Sequence, residues 1–176
     1  MFKGIKLYIV IIVAAVLLAL LLFGFNLYLR YTDNGLEKSI KSIDGVRSVE
    51  IIKDKVSEKI YVGINKGADL QDLYLEIENE ANKESPQSEI KIQDVNGKNY
   101  EKLKTAFDDI SFYLYESTVK GNFPEMMSNI REKLKSNGIN YTIRVDEKNI
   151  YVTMSYGDSA LYRVINYSQV LRGKTQ

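Results

Sequence analysis

The sequence predicts an α+β fold in which an N-terminal transmembrane helix precedes two small two-layer α/β modules. The first module reads α-β-β-α-β and the second reads as two helices followed by a three-stranded meander. Three observations predict this. Residues 8–25, YIVIIVAAVLLALLLFGF, carry no charge. Beyond them, apolar residues recur at helical spacing in four segments. Between those segments lie six short runs in which apolar and polar residues alternate. The expected divisions are a short basic tail (1–7), a transmembrane helix (8–29), a first module (30–96), a second module (97–168) and a flexible tail (169–176).

The apolar segment is the strongest single signal. At about 1.5 Å per residue, 18–22 residues span about 27–33 Å, the thickness of a bilayer's hydrocarbon core. Tyr8, Tyr28 and Tyr31 stand where an interfacial aromatic belt would lie. No small-x-small cleavage pattern follows; the next residues are Phe23-Gly24-Phe25-Asn26-Leu27-Tyr28. The segment therefore reads as an uncleaved anchor, with the lipid bilayer as its partner. Lys3 and Lys6 before it set the expected orientation, N-terminus cytoplasmic and domain extracytoplasmic, against Arg30, Lys38 and Lys41 after it.

In the first module, Leu36, Ile40 and Ile43 share one helix face, and Asn34 with Glu37 suggests a capping box. Gly45 ends that helix. Val49 and Ile51 then mark one strand, and Ile60, Val62 and Ile64 mark its return. Asp69 caps a helix carrying Leu70, Leu73, Ile77 and Ala81 on one face. Ser85-Pro86-Gln87-Ser88 stops it, and Ile90 and Ile92 point inward from a third strand.

The second module follows a turn at Asp94-Val95-Asn96-Gly97. Tyr100, Leu103, Phe107, Ile110 and Leu114 form the buried stripe of a long helix that Gly121 terminates. Asn122-Phe123-Pro124-Glu125 opens the next helix, with Met126, Ile130 and Leu134 inward and Gly138 at its end. Strands are expected around Tyr141/Ile143/Val145, Ile150/Val152/Met154 and Leu161–Tyr167. A local echo links the halves: KSIDGV before KIYVGI, and KSNGI before NIYVTM.

Composition narrows the chemistry. From Tyr31 onward there are 21 basic and 23 acidic residues, so no basic excess argues for nucleic acid. The chain has no Cys and no His. Thiol and imidazole catalysis, disulfides and the usual zinc sites are thereby removed. Asp108-Asp109 point about 100° apart on a helix and read as a solvated face. Glu76, Glu78 and Glu80 scatter likewise. Asp94–Gly97 lacks the later ligands of a calcium loop. No phosphate loop or nucleophile elbow is present. The expectation is a protein that is not an enzyme, with no cofactor and no metal.

The remaining candidates are aromatic. Among 13 Tyr, Tyr151 and Tyr162 point away from Ile150, Val152 and Leu161 on their own strands. Exposed, they would form an aromatic partner-contact face; the alternative is packing within the domain. Tyr113 and Tyr115, with Phe112, make a second candidate partner-contact cluster, on a helix whose buried stripe is already filled.

The stretch LEKSIKSIDGVRSVEI, with the return strand IYVGI beside a membrane span, resembles the ring-building motif of membrane-anchored ring proteins. The resemblance covers residues 36–95 and transfers no binding residue. It implies a ferredoxin-like α-β-β-α-β module that works by assembly. The functional expectation is a single-pass membrane protein whose domain mediates protein–protein assembly, as a scaffold or envelope component in contact with other envelope proteins or itself. The alternative is a tethered sensor or ligand-binding module with a cleft between the modules. An enzyme using carboxylates and Tyr ranks third.

Overall fold

The structure is a computed structural model that describes residues 7–53 and 58–172, with side chains throughout except at 7–10, 26–34, 169, 171 and 172. Among the described residues it is a mixed α+β arrangement of five helices and two three-stranded sheets. Residues 1–6 of the expected basic tail, including Lys3 and Lys6, lie outside the described residues, as do residues 54–57 and 173–176. The side chains of Tyr8, Tyr28, Arg30, Tyr31 and Asn34 lie outside them too.

Helix α1 runs unbroken from Leu7 to Lys41. From Ile11 to Phe25 every side chain is exposed. Among the described residues no helix is long and apolar enough to cross a membrane. Further along the same helix, Leu36 and Ile40 are buried, and Ile43 follows them into the core. The helix start expected at Asn34 is not seen: the backbone is already helical there, within α1.

Gly45, at φ +91°, turns the chain into β1 (Val46–Lys53), which pairs antiparallel with β2 (Glu58–Ile64). The register slips between Val46 and Ser48, leaving Arg47 as an extra residue. Gly63 sits against this bulge; a Cβ there would lie 2.4 Å from Ser48 Oγ. Helix α2 (Leu70–Glu84) crosses back, and β3 (Glu89–Gln93) joins β2 in parallel. Asp69 caps α2, its Oδ1 accepting from the amides of Gln71 at 3.1 Å and Asp72 at 3.3 Å. Ile60, Val62 and Ile64 pack under Leu36, Ile40, Leu73 and Ile77. Helices on one face of a β1-β2-β3 sheet make the α-β-β-α-β unit.

In the second half, α3 (Tyr100–Lys120) and α4 (Phe123–Leu134) cover one face of a meander of β4 (Asn140–Val145), β5 (Asn149–Tyr156) and β6 (Ser159–Asn166). Leu103, Phe107, Ile110 and Leu114 meet Met126, Ile130, Ile150, Val152, Met154 and Leu161 there. Gly121, at φ +69°, closes α3 with its amide on Ser117 O at 2.8 Å. Asn122 does not cap α4: its Nδ2 donates to Glu125 Oε2 at 2.8 Å, and its Oδ1 is buried without a partner.

Of the expected tail, residues 169–172 are helical and residues 173–176 lie outside the described residues. A short helix, α5 (Tyr167–Arg172), follows β6 directly. Tyr167 stacks on Phe123 and donates to Asp146 O at 2.9 Å, which holds this helix against the domain.

Candidate functional site

The two sheets are separate, but their cores meet. Sheet alternation sends Ile150, Val152 and Leu161 toward α3 and α4. It sends Tyr151, Ala160 and Tyr162 the other way, into the core of the first half. Tyr151 and Tyr162 are each only 2% exposed. Neither forms an exposed aromatic face: the surface they contact is the chain's own α2 and first sheet. Tyr74 of α2 meets Tyr151 edge to face, ring centres 5.8 Å apart.

Polar groups lock this seam. Val95 and Ala160 exchange backbone hydrogen bonds of 2.8 and 3.1 Å. Asp94, just past β3, accepts from the Tyr162 amide at 2.8 Å and from Arg163 Nη1 at 2.9 Å. It also accepts from the Tyr100 hydroxyl on α3. Across the seam Arg144 pairs with Asp69, and Lys66 Nζ donates to Gly157 O.

At one end of the seam Asp146 Oδ1 accepts from the amides of Lys148 and Asn149, both at 2.8 Å, while its Oδ2 accepts from the Tyr151 hydroxyl at 2.8 Å. Burial pushes the Asp146 carboxyl up, but these three donors and the Gln71 side chain together outweigh it and hold the group below its ordinary value. The phenols move the other way. Burial, aided by Glu78 and Glu89, pushes Tyr74 up to about 12. Burial and the Asp146 carboxylate raise Tyr151, and burial raises Tyr162. All three are therefore protonated at neutral pH, and of the three only the Tyr151 hydroxyl is hydrogen-bonded among the described residues. The Tyr162 hydroxyl is buried with no partner.

A cleft of about 380 Å³ opens along the seam between the loop 66–71 and the outer face of the second sheet. Its floor includes Thr142, Thr153 and Ser155, and its walls include Lys66, Arg144 and Tyr151. The register sets Thr142 beside Thr153, and Thr153 beside Tyr162.

A different surface lies on the outside of α3. Phe112 is 67% exposed, and Tyr115 and Val119 are 44% exposed. With Val170 of α5 they line an apolar groove of about 340 Å³. Of the aromatic candidates, Tyr115 faces this groove. Tyr113 is half-buried against the second core and meets Phe112 edge to face at 6.0 Å. Among the described residues no group of three His, Cys, Asp or Glu side chains could hold a metal ion.

Asp94, Arg163, Asp146 and Lys66 are the seam residues that sequence reasoning missed. Asp94 and Asp146 read as turn residues. The one available signal was Arg163, a charge inside a strand whose neighbours Leu161 and Ile165 face the helices. Comparisons of the chain with protein-family models, curated proteins and solved structures returned no match. The likeness to the ring-building motif therefore stands on element order alone.

Proposed function

We propose that this chain is a single-pass membrane-anchored protein whose extracytoplasmic α+β domain works as a scaffold within an envelope complex. Residues 8–29 would lie in the bilayer with the N-terminus cytoplasmic, and residues 30–96 and 97–168 would act as two modules joined by the seam. The observation that carries this reading is the continuity of α1. One helix has apolar side chains exposed around its whole circumference from Ile11 to Phe25, then buries Leu36 and Ile40 in the domain core. An all-round apolar helix is unstable against water and needs an apolar medium. A helix that enters the core without a flexible linker fixes the domain's orientation relative to that medium. Such stiffness suits a part that presents fixed contact faces, and the Phe112–Tyr115–Val119 groove is one such face.

The test has two arms. Leu18→Arg should weaken bilayer insertion by about 2.5–3.5 kcal/mol at the helix centre and shift protein from the membrane to the soluble fraction. Full fractionation of that variant with membranes would count against the anchor. Light scattering of the detergent-extracted full chain, and of its native membrane extract, should show a defined complex larger than one copy. A lone monomer in both would remove the scaffold reading.

A further inference from the structure

We infer that the seam cleft is a binding site for a small hydroxylated carboxylate, of the sugar-acid type. Its volume of about 380 Å³ falls within the range of small-molecule sites. Its floor is a row of hydroxyls. Thr142, Thr153 and Ser155 all line it, and among the described residues none of their hydroxyls is hydrogen-bonded to the protein. Thr142 and Thr153 are direct cross-strand neighbours, and strands stand about 4.8 Å apart. Each hydroxyl can both donate and accept, so the row suits a ligand that carries several hydroxyls itself. Tyr151 and Tyr162 also line the cleft but are each only 2% exposed, so the row of hydroxyls, and not a ring face, is what a ligand meets.

Charge selects the other half of the ligand. The cleft holds two cations, Lys66 and Arg144, against one carboxylate, Asp69. Arg144 is paired with Asp69, whereas Lys66 bonds only a backbone carbonyl. One uncompensated positive charge matches a monoanion such as a carboxylate. The inference does not depend on where α1 resides, so it can fail while the scaffold reading stands, and the reverse.

The experiment is an amide chemical-shift titration of the full chain in a phosphocholine detergent, which brings no sugar of its own. Glucuronate is the probe, with glucose and acetate as comparators. Glucuronate should give saturable shifts at Lys66, Thr142 and Thr153, with affinity at least about tenfold above both comparators. Thr153→Val should weaken glucuronate about tenfold, and Lys66→Gln should erase its preference over glucose. Lys66 is exposed, so its variant keeps the test informative if Thr153→Val fails to fold. The inference is overturned by the absence of saturable shifts up to about 50 mM, or by shifts that both variants leave unchanged. Glucose equal to glucuronate would overturn the anion requirement, and acetate equal to it would overturn the hydroxyl requirement.

Discussion

Arg163 Nη1 lies 2.9 Å from both carboxylate oxygens of Asp94, and this contact ties the second sheet to the end of the first. Asp94 Oδ1 also accepts the Tyr162 amide at 2.8 Å. The Asp94 side chain is 12% exposed and that of Arg163 34%, so water screens the pair in part. Asp94→Asn removes the charge and leaves Arg163 uncompensated. The expected cost is about 1–3 kcal/mol, below that of breaking a fully buried pair. For a chain of this size that lowers the melting temperature by roughly 2–12 °C, measurable by circular dichroism. An unchanged melting temperature would show that the pair does not hold the seam.

The two seam tyrosines should respond oppositely to loss of their hydroxyls. The Tyr151 hydroxyl donates to Asp146 and accepts from Asn149 Nδ2, so Tyr151→Phe should destabilise by about 1–2 kcal/mol. The Tyr162 hydroxyl has no partner, so Tyr162→Phe relieves a buried unsatisfied group and should be neutral or stabilising by up to about 1 kcal/mol. Equal destabilisation by both variants would mean that the Tyr162 hydroxyl is paired in solution.

Asp146 predicts an acid-side dependence. Its folded carboxyl is held below the ordinary 3.8, so the folded state favours the charged form. The stability it contributes is fully present above the unfolded value and is lost as pH falls through the lower folded value. Asp146→Asn should therefore be less stable than the parent at neutral pH, and the difference should close as pH drops below about 3.8. Melting curves between neutral and strongly acid pH read this directly; a gap that stays constant with pH would contradict it.

Ile40 tests the coupling of α1 to the domain. It is fully buried at the penultimate position of a helix that begins at Leu7. Ile40→Ala should cost about 2–5 kcal/mol through lost burial and the cavity left behind. It should also raise proteolysis near residues 35–41, because the last turns of α1 would detach locally before the sheet unfolds. A stable, protease-resistant variant would mean that α1 is not clamped by this contact.

Much of the fold was legible locally. The Asp69 cap, the Gly121 stop and the stripes on α2 and α3 depend on groups a few residues apart, and the sequence places those directly. The strands of both sheets followed from period-two alternation. One local signal misled. Asn34–Glu37 has the form of a cap, but a cap forms only where a helix starts, and α1 passes straight through. Phe123 and the Asp146 carbonyl hold Tyr167 at the start of α5, contacts that no local period announces.

The start of α3 shows where local reading stops. Asn99 makes no side-chain cap. The amides of Lys98 and Asn99 are instead satisfied by Asp158 and Ser159, from a hairpin about sixty residues away. Gly97 permits that approach, since a Cβ there would lie 2.4 Å from the Asp158 carboxyl.

By itself, then, the sequence determined the six strands and the helices α2, α3 and α4, which face of each is apolar, the uncharged N-terminal run, and the absence of Cys and His. Only the tertiary structure decided what covers the second face of the second sheet. Alternation tells that Tyr151 and Tyr162 leave the α3–α4 side, but water, a partner and another part of the same chain are all consistent with a tyrosine. The choice fell to long-range contacts, Asp94 with Arg163, Val95 with Ala160 and Tyr74 with Tyr151, whose energies depend on docking geometry that no short window of sequence contains.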